Sequence, residues 1–260
     1  MKTKAFAFAL ALLTALTLLA GCSEKGLSAR IVSNEPEKTE DPAKAGEKTI
    51  RIGENEFVCT YELSFVSDFT GRTQDRYVTE EGGKIVTDSE TGEVMRFYGF
   101  MPLEPIANFG ELTDNEIVEA VKAAVAPLAS CDKYNESSVD RSELNGVLMS
   151  ATVKLFQKDG VALNNSVAVE IDVKGKITSY SKAEGFPDGT KIIRISDKER
   201  EKLLRSAIEP AMKDAELGEI GIEVEVMTIY HGEPALVYYI DVKDTQGRSY
   251  GTVPVVISHE

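Results

Sequence analysis

Apolar residues fall into three regimes along this chain. Residues 5–20 are apolar apart from Thr14 and Thr17, behind a basic start at Lys2 and Lys4. Residues 23–48 are mostly Glu, Lys, Ser, Pro and Ala, with Leu27, Ile31 and Val32 as the apolar spots. From residue 49 onward, period-two alternation dominates, interrupted by two stripes of helical spacing.

Each helical stripe has a start signal. Leu112-Thr113-Asp114-Asn115-Glu116 supplies a staple residue, an N-cap Thr and the N3 Glu of a capping box. Ile195-Ser196-Asp197-Lys198-Glu199 repeats it 83 residues later, in a register that also aligns Val121 with Leu204, Ala124 with Ala207 and Pro127 with Pro210. Upstream, Gly92 meets Gly175, Val94 meets Ile177 and Phe97 meets Tyr180. A proline inside a helix costs about 3 kcal/mol, so its matched placement points to duplication rather than to helix propensity.

Strands follow each helix. Met149, Ala151, Val153 and Leu155 alternate, as do Val167, Val169, Ile171 and Val173. In the second copy, Ile222, Val224 and Val226 alternate against Glu223 and Glu225, followed by Leu236, Tyr238, Ile240 and Val242. Such alternation predicts antiparallel sheet with one wet face. Phe57, Cys59, Tyr61, Leu63 and Phe65 would share one face of an earlier strand. The expected class is α+β: tandem units of one helix packed on an antiparallel sheet, preceded by N-terminal strands. The expected segments are 1–21 signal, 22–48 tether, 49–110 N-terminal strands, 111–183 first unit and 184–260 second unit.

The first apolar run is too short to span a bilayer, which takes about 20 residues, and fits the h-region of a secretory signal. Its end, Leu19-Ala20-Gly21-Cys22, resembles a bacterial lipobox. The resemblance implies lipid attachment at Cys22, cleavage before it, and a membrane-anchored protein facing the extracytoplasmic side, held stably by two or three acyl chains. The polar tether behind Cys22 cannot offset the entropy of ordering; as a coil it spans on the order of 30 Å.

The formal net charge is −14, and the signal holds two of the cations, so the mature body is more acidic still. That argues against nucleic acid as a partner and for a body that stands off anionic lipid.

The ends of the alternating runs echo one another: Asp88-Ser89-Glu90-Thr91-Gly92-Glu93-Val94, Ile171-Asp172-Val173-Lys174 before Gly175, and Ile240-Asp241-Val242-Lys243 before Gly247. Together with the preceding helices, over about residues 85–258, they resemble the PepSY-like modules of secreted bacterial proteins. That resemblance implies a module that binds or restrains peptidases and brings no catalytic residues.

The remaining chemistry is sparse. The two histidines are His231, in a hairpin-like His-Gly pair, and His259, next to last. With no His-Glu-x-x-His and no Cys-x-x-Cys, neither a zinc site nor another cofactor is expected. Gly-x-Ser-x-Gly is missing as well. Asp88, Glu90 and Glu93 around Gly92 could suggest calcium, but Asp, Thr and Gly are also the ordinary residues of a tight turn. Cys59 lies on an apolar strand face, and Cys131 would extend the stripe Ile117, Val121, Ala124, Leu128 if the helix survives Pro127. They are disulfide candidates, worth up to about 4 kcal/mol, or else two buried thiols. Tyr239 beside Val237 could present an apolar strip to a partner strand.

The sequence therefore points to a non-catalytic surface lipoprotein that binds a protein or peptide, an extracellular peptidase being the concrete case. An envelope-assembly lipoprotein that binds cell-wall material, and a hydrolase using paired carboxylates, are the alternatives.

Overall fold

The computed structural model describes residues 26–32, 38, 39, 41, 44–67, 71–144, 147–212 and 215–259. Among the described residues, strands account for 54% and helices for 14%. This overturns the expected α+β class with a helix for every unit: the architecture is mainly β, with two α-helices among the described residues. The sequence reading fell short because several strands carry polar residues at inward positions, which breaks the period-two signal. Gln74, Asp75, Thr87 and Asp88 are all buried.

Two compact units divide the chain, residues 36–185 and residues 1–35 with 186–260. In the first, short β2 (Lys38–Thr39) and β3 (Glu47–Ile52) both pair with β4 (Asn55–Val66). The sheet continues through β5 (Thr73–Thr79), β6 (Lys84–Asp88), β7 (Val94–Tyr98), β11 (Ile177–Glu184), β10 (Val161–Asp172), β9 (Val147–Asp159) and β8 (Glu136–Leu144). Every one of these pairings is antiparallel. The strands of residues 49–110 and of 111–183 thus share one sheet, joined at β7 and β11.

Helix α1 (Asp114–Val125) starts at the capping box its residues predict: the Thr113 amide donates to Glu116 Oε2 at 2.8 Å, and the Glu116 amide donates to Thr113 Oγ1 at 3.4 Å. It buries Ile117, Val118, Val121 and Val125, and packs on β8 and β9. The core continues through Phe97, stacked on Tyr180 with ring centroids 5.5 Å apart, to Ile50, Ile52 and Cys59. A bulge between Tyr61 and Leu63 breaks the face expected for β4. Phe57, Cys59 and Tyr61 stay with the core, whereas Ser64 becomes the buried residue beyond the bulge.

In the second unit β1 (Leu27–Ile31), β14 (Ser249–His259), β13 (Glu233–Asp244) and β12 (Leu217–Tyr230) form an antiparallel run in that order. Helix α2 (Asp197–Ile208) has Ser196 as its N-cap, buries Leu203, Leu204, Ala207 and Ile208, and packs on β1 and β14. Both helices stop two residues before a proline, Pro127 and Pro210; Ala126 and Glu209 still hold α-region backbone, so the stop follows from the proline ring and its missing N–H, which break the next helical hydrogen bond.

Candidate functional site

Cys22 and the lipobox-like residues lie outside the described residues. Cys131 does not extend the first helix, which ends at Val125; it is half-buried in the following loop. Cys59 is buried in β4. Both stand as free thiols, each turned onto a carbonyl of its own strand or loop: Cys59 Sγ on Phe57 O at 3.4 Å, Cys131 Sγ on Ala129 O at 3.8 Å. Burial pushes both thiols up, away from the reactive thiolate.

The echoed strand ends are one kind of turn used three times. The carboxylate of Asp172 accepts from the amides of Lys174 and Lys176, at 2.8 and 2.9 Å. Asp244 does the same for Gln246 and Arg248, at 2.8 and 2.9 Å. Asp88 accepts from Glu90 and Thr91, at 3.0 and 2.9 Å. A glycine at φ +74°, +77° or +76° closes each turn, at Gly92, Gly175 and Gly247. The Asp88 carboxylate is thus turned onto its own backbone, so the calcium reading yields to an Asx-type turn. Among the described residues no three His, Cys, Asp or Glu gather as a metal-binding group.

His231 sits in the β12–β13 turn at φ +50°, edge-on to Tyr230 with centroids 4.2 Å apart, and His259 ends β14. The apolar strip expected at Tyr239 is not free either, because Val237 is fully buried and Tyr239 half-buried.

Two polar clusters lie inside the first unit. Lys44 Nζ meets both carboxylate oxygens of Asp75 at 2.8 Å, and Ser64 Oγ donates to Asp75 Oδ1 at 2.6 Å. Burial raises the Asp75 carboxyl, but its bonds from Lys44, Ser64 and Ser89 outweigh that and hold it below the usual range. The Lys44 amine, 3.3 Å from Ser89 Oγ, is raised by Asp75 and so held protonated, which unsuits it as a base for a serine. The second cluster centres on Lys182, whose side chain is 5% exposed; it pairs with Glu93 and, at 3.1 Å, with Glu184. Lys133 also reaches Glu184, at 2.7 Å. Both clusters are charge-matched ion pairs that tie strands and loops together.

The feature that could engage another molecule is an edge. Among the described residues β8 pairs with β9 alone, so one side of its backbone carries unpaired N–H and C=O groups. Its register places Ser137, Val139 and Arg141 opposite Leu155, Val153 and Ala151, on the core side. Val139 packs against the core, and Arg141 anchors the strand to α1: Nε donates to Asp114 Oδ1 and Nη2 to the Leu112 carbonyl, both at 2.7 Å. Glu136, Ser138, Asp140 and Ser142 occupy the other face and are exposed. Sequence reasoning missed this strand because it holds only one inward apolar residue before its final Leu. The usable signal was Asn145-Gly146, a strong hairpin pair, between residues 136–144 and the alternating run that follows.

No family model, curated protein or solved structure matches the chain.

Proposed function

We propose that this chain is a non-catalytic surface lipoprotein, anchored to the membrane through acyl chains on Cys22 and facing the extracytoplasmic side, that binds a protein or peptide partner. The observation that supports binding is the β8 edge, nine residues long and held firm by α1. Restraint of an extracellular peptidase is the concrete form, supported by the resemblance of the strand-end sequences, Asp88 to Val94 above all, to PepSY-like modules. The acidic body favours a position clear of anionic lipid, where an envelope protein can be reached.

Crosslinking on intact host cells, followed by identification of the captured protein and assay of its activity against the purified mature chain, tests the reading. A captured envelope protein, slowed if it is a peptidase, is the expected result. Capture of no specific partner, together with no inhibition, would overturn it. The anchor has its own test: the Cys22→Ser variant should lose acyl label and leave the membrane fraction.

A further inference from the structure

We propose that the outer edge of β8 receives the partner, and that the docking segment is an extended, cationic stretch of polypeptide added to the sheet as one more strand. This rests on the binding reading above and names the partner's chemistry. Nine residues of strand offer about 30 Å of main chain, with alternate N–H and C=O groups directed outward. Proteins usually blunt such an edge with lysine or proline. At the opposite edge of this unit, β2 and β3, which both pair with β4, carry Lys38, Lys48 and Arg51, whereas β8 contains neither lysine nor proline.

The charges on β8 select the occupant. Glu136, Asp140 and Glu143 are exposed and make no ion pair among the described residues. The only cation of the strand, Arg141, is engaged by Asp114. Lys154, opposite Ser138 on β9, lies one strand further in, over the Phe156 ring at 5.5 Å. Opposite charges across a strand pair stabilise it and like charges oppose it. A second copy of this chain fits poorly: two-fold pairing centred on Asp140 sets that carboxylate against itself. Strand addition draws affinity from the main chain and specificity from alternate side chains, so lysine or arginine at every second position matches Glu136 and Asp140.

The test uses the full mature chain, isotope-labelled, titrated at physiological salt with a nine-residue amidated peptide of alternating threonine and lysine, and with its threonine–glutamate counterpart. The expected result is slowed hydrogen exchange at the amides of residues 136–144, with the lysine peptide bound about tenfold or more tighter. The paired substitution Glu136→Lys with Asp140→Lys should reverse that preference. Equal affinity for both peptides, no binding, or protection confined to other strands overturns the proposal, as does self-association abolished by the paired substitution. If the crosslinked partner is captured equally by the wild type and the doubly substituted chain, the edge assignment fails while the binding reading stands. Loss of the partner from both defeats the binding reading itself.

Discussion

Gly175 lies so close to Ile106 that a β-carbon on it would stand 2.2 Å from the Ile106 carbonyl oxygen, while the Ile106 amide donates to the Gly175 carbonyl at 2.8 Å. Its φ of +77° independently favours glycine. Gly92 and Gly247 share the φ but have open space where a methyl would go. Alanine at those two positions should cost about 1 kcal/mol, and Gly175→Ala at least about 3 kcal/mol. Urea unfolding of the three variants checks this; equal losses would show that the Ile106 contact carries no weight.

Acid should destabilise the fold. For Asp75, Asp88 and Glu184, burial raises each carboxyl but hydrogen bonds and nearby cations outweigh it, leaving each below its ordinary value. A group depressed in the folded state contributes stability above its unfolded value, about pH 4, and loses it as pH falls through the folded value. The urea midpoint should stay nearly level from pH 8 to about 5 and then decline. Asp75→Asn should lower the plateau and shallow the decline; an unchanged slope would remove Asp75 from the acid response.

Lys182 is the most deeply placed cation of its cluster, and removing it strands Glu93 and leaves Glu184 to Lys133 alone. Lys182→Met is expected to cost about 1–2 kcal/mol, less than a fully buried pair would, because the Glu93 it leaves behind keeps access to water. Adding Glu93→Gln should restore part of that loss. Thermal melts of the single and double variants measure both, and a double variant no better than the single would place the cost in packing.

Cys59 and Cys131 should behave as thiols. Intact mass is expected to be unchanged by reductant, with Cys131 alkylated slowly in the native state and Cys59 only after unfolding, following their burial. A gain of about 2 Da on reduction would show them bonded instead.

What the sequence made legible is what local chemistry decides. Thr113 with Glu116, and Ser196 with Glu199, mark helix starts because the caps act within four residues. Pro127 and Pro210 mark the stops for an equally local reason. The β-rich class was hidden because pairing is non-local. Asp75 can face inward on β5 only because Lys44, 31 residues away, arrives to meet it. The bulge at Tyr61 reverses the faces of β4, and no alternation count within one strand reveals a residue inserted relative to its neighbour. The β8 edge was missed for the same cause, since Val139 becomes an inward residue only once β9 lies beside it.

The position of β1 has a mechanical consequence. It is the first described strand after the N-terminal segment, and its Leu27–Ile31 ladder runs antiparallel along His259–Val255 of β14. Under the proposed anchoring through Cys22, a pull enters the fold through five paired residues, loaded at the Leu27 end, where the ladder meets His259. Rupture of that short ladder removes a strand on which α2 rests. The weakest link under tension is thus the five-residue β1–β14 ladder of the second unit.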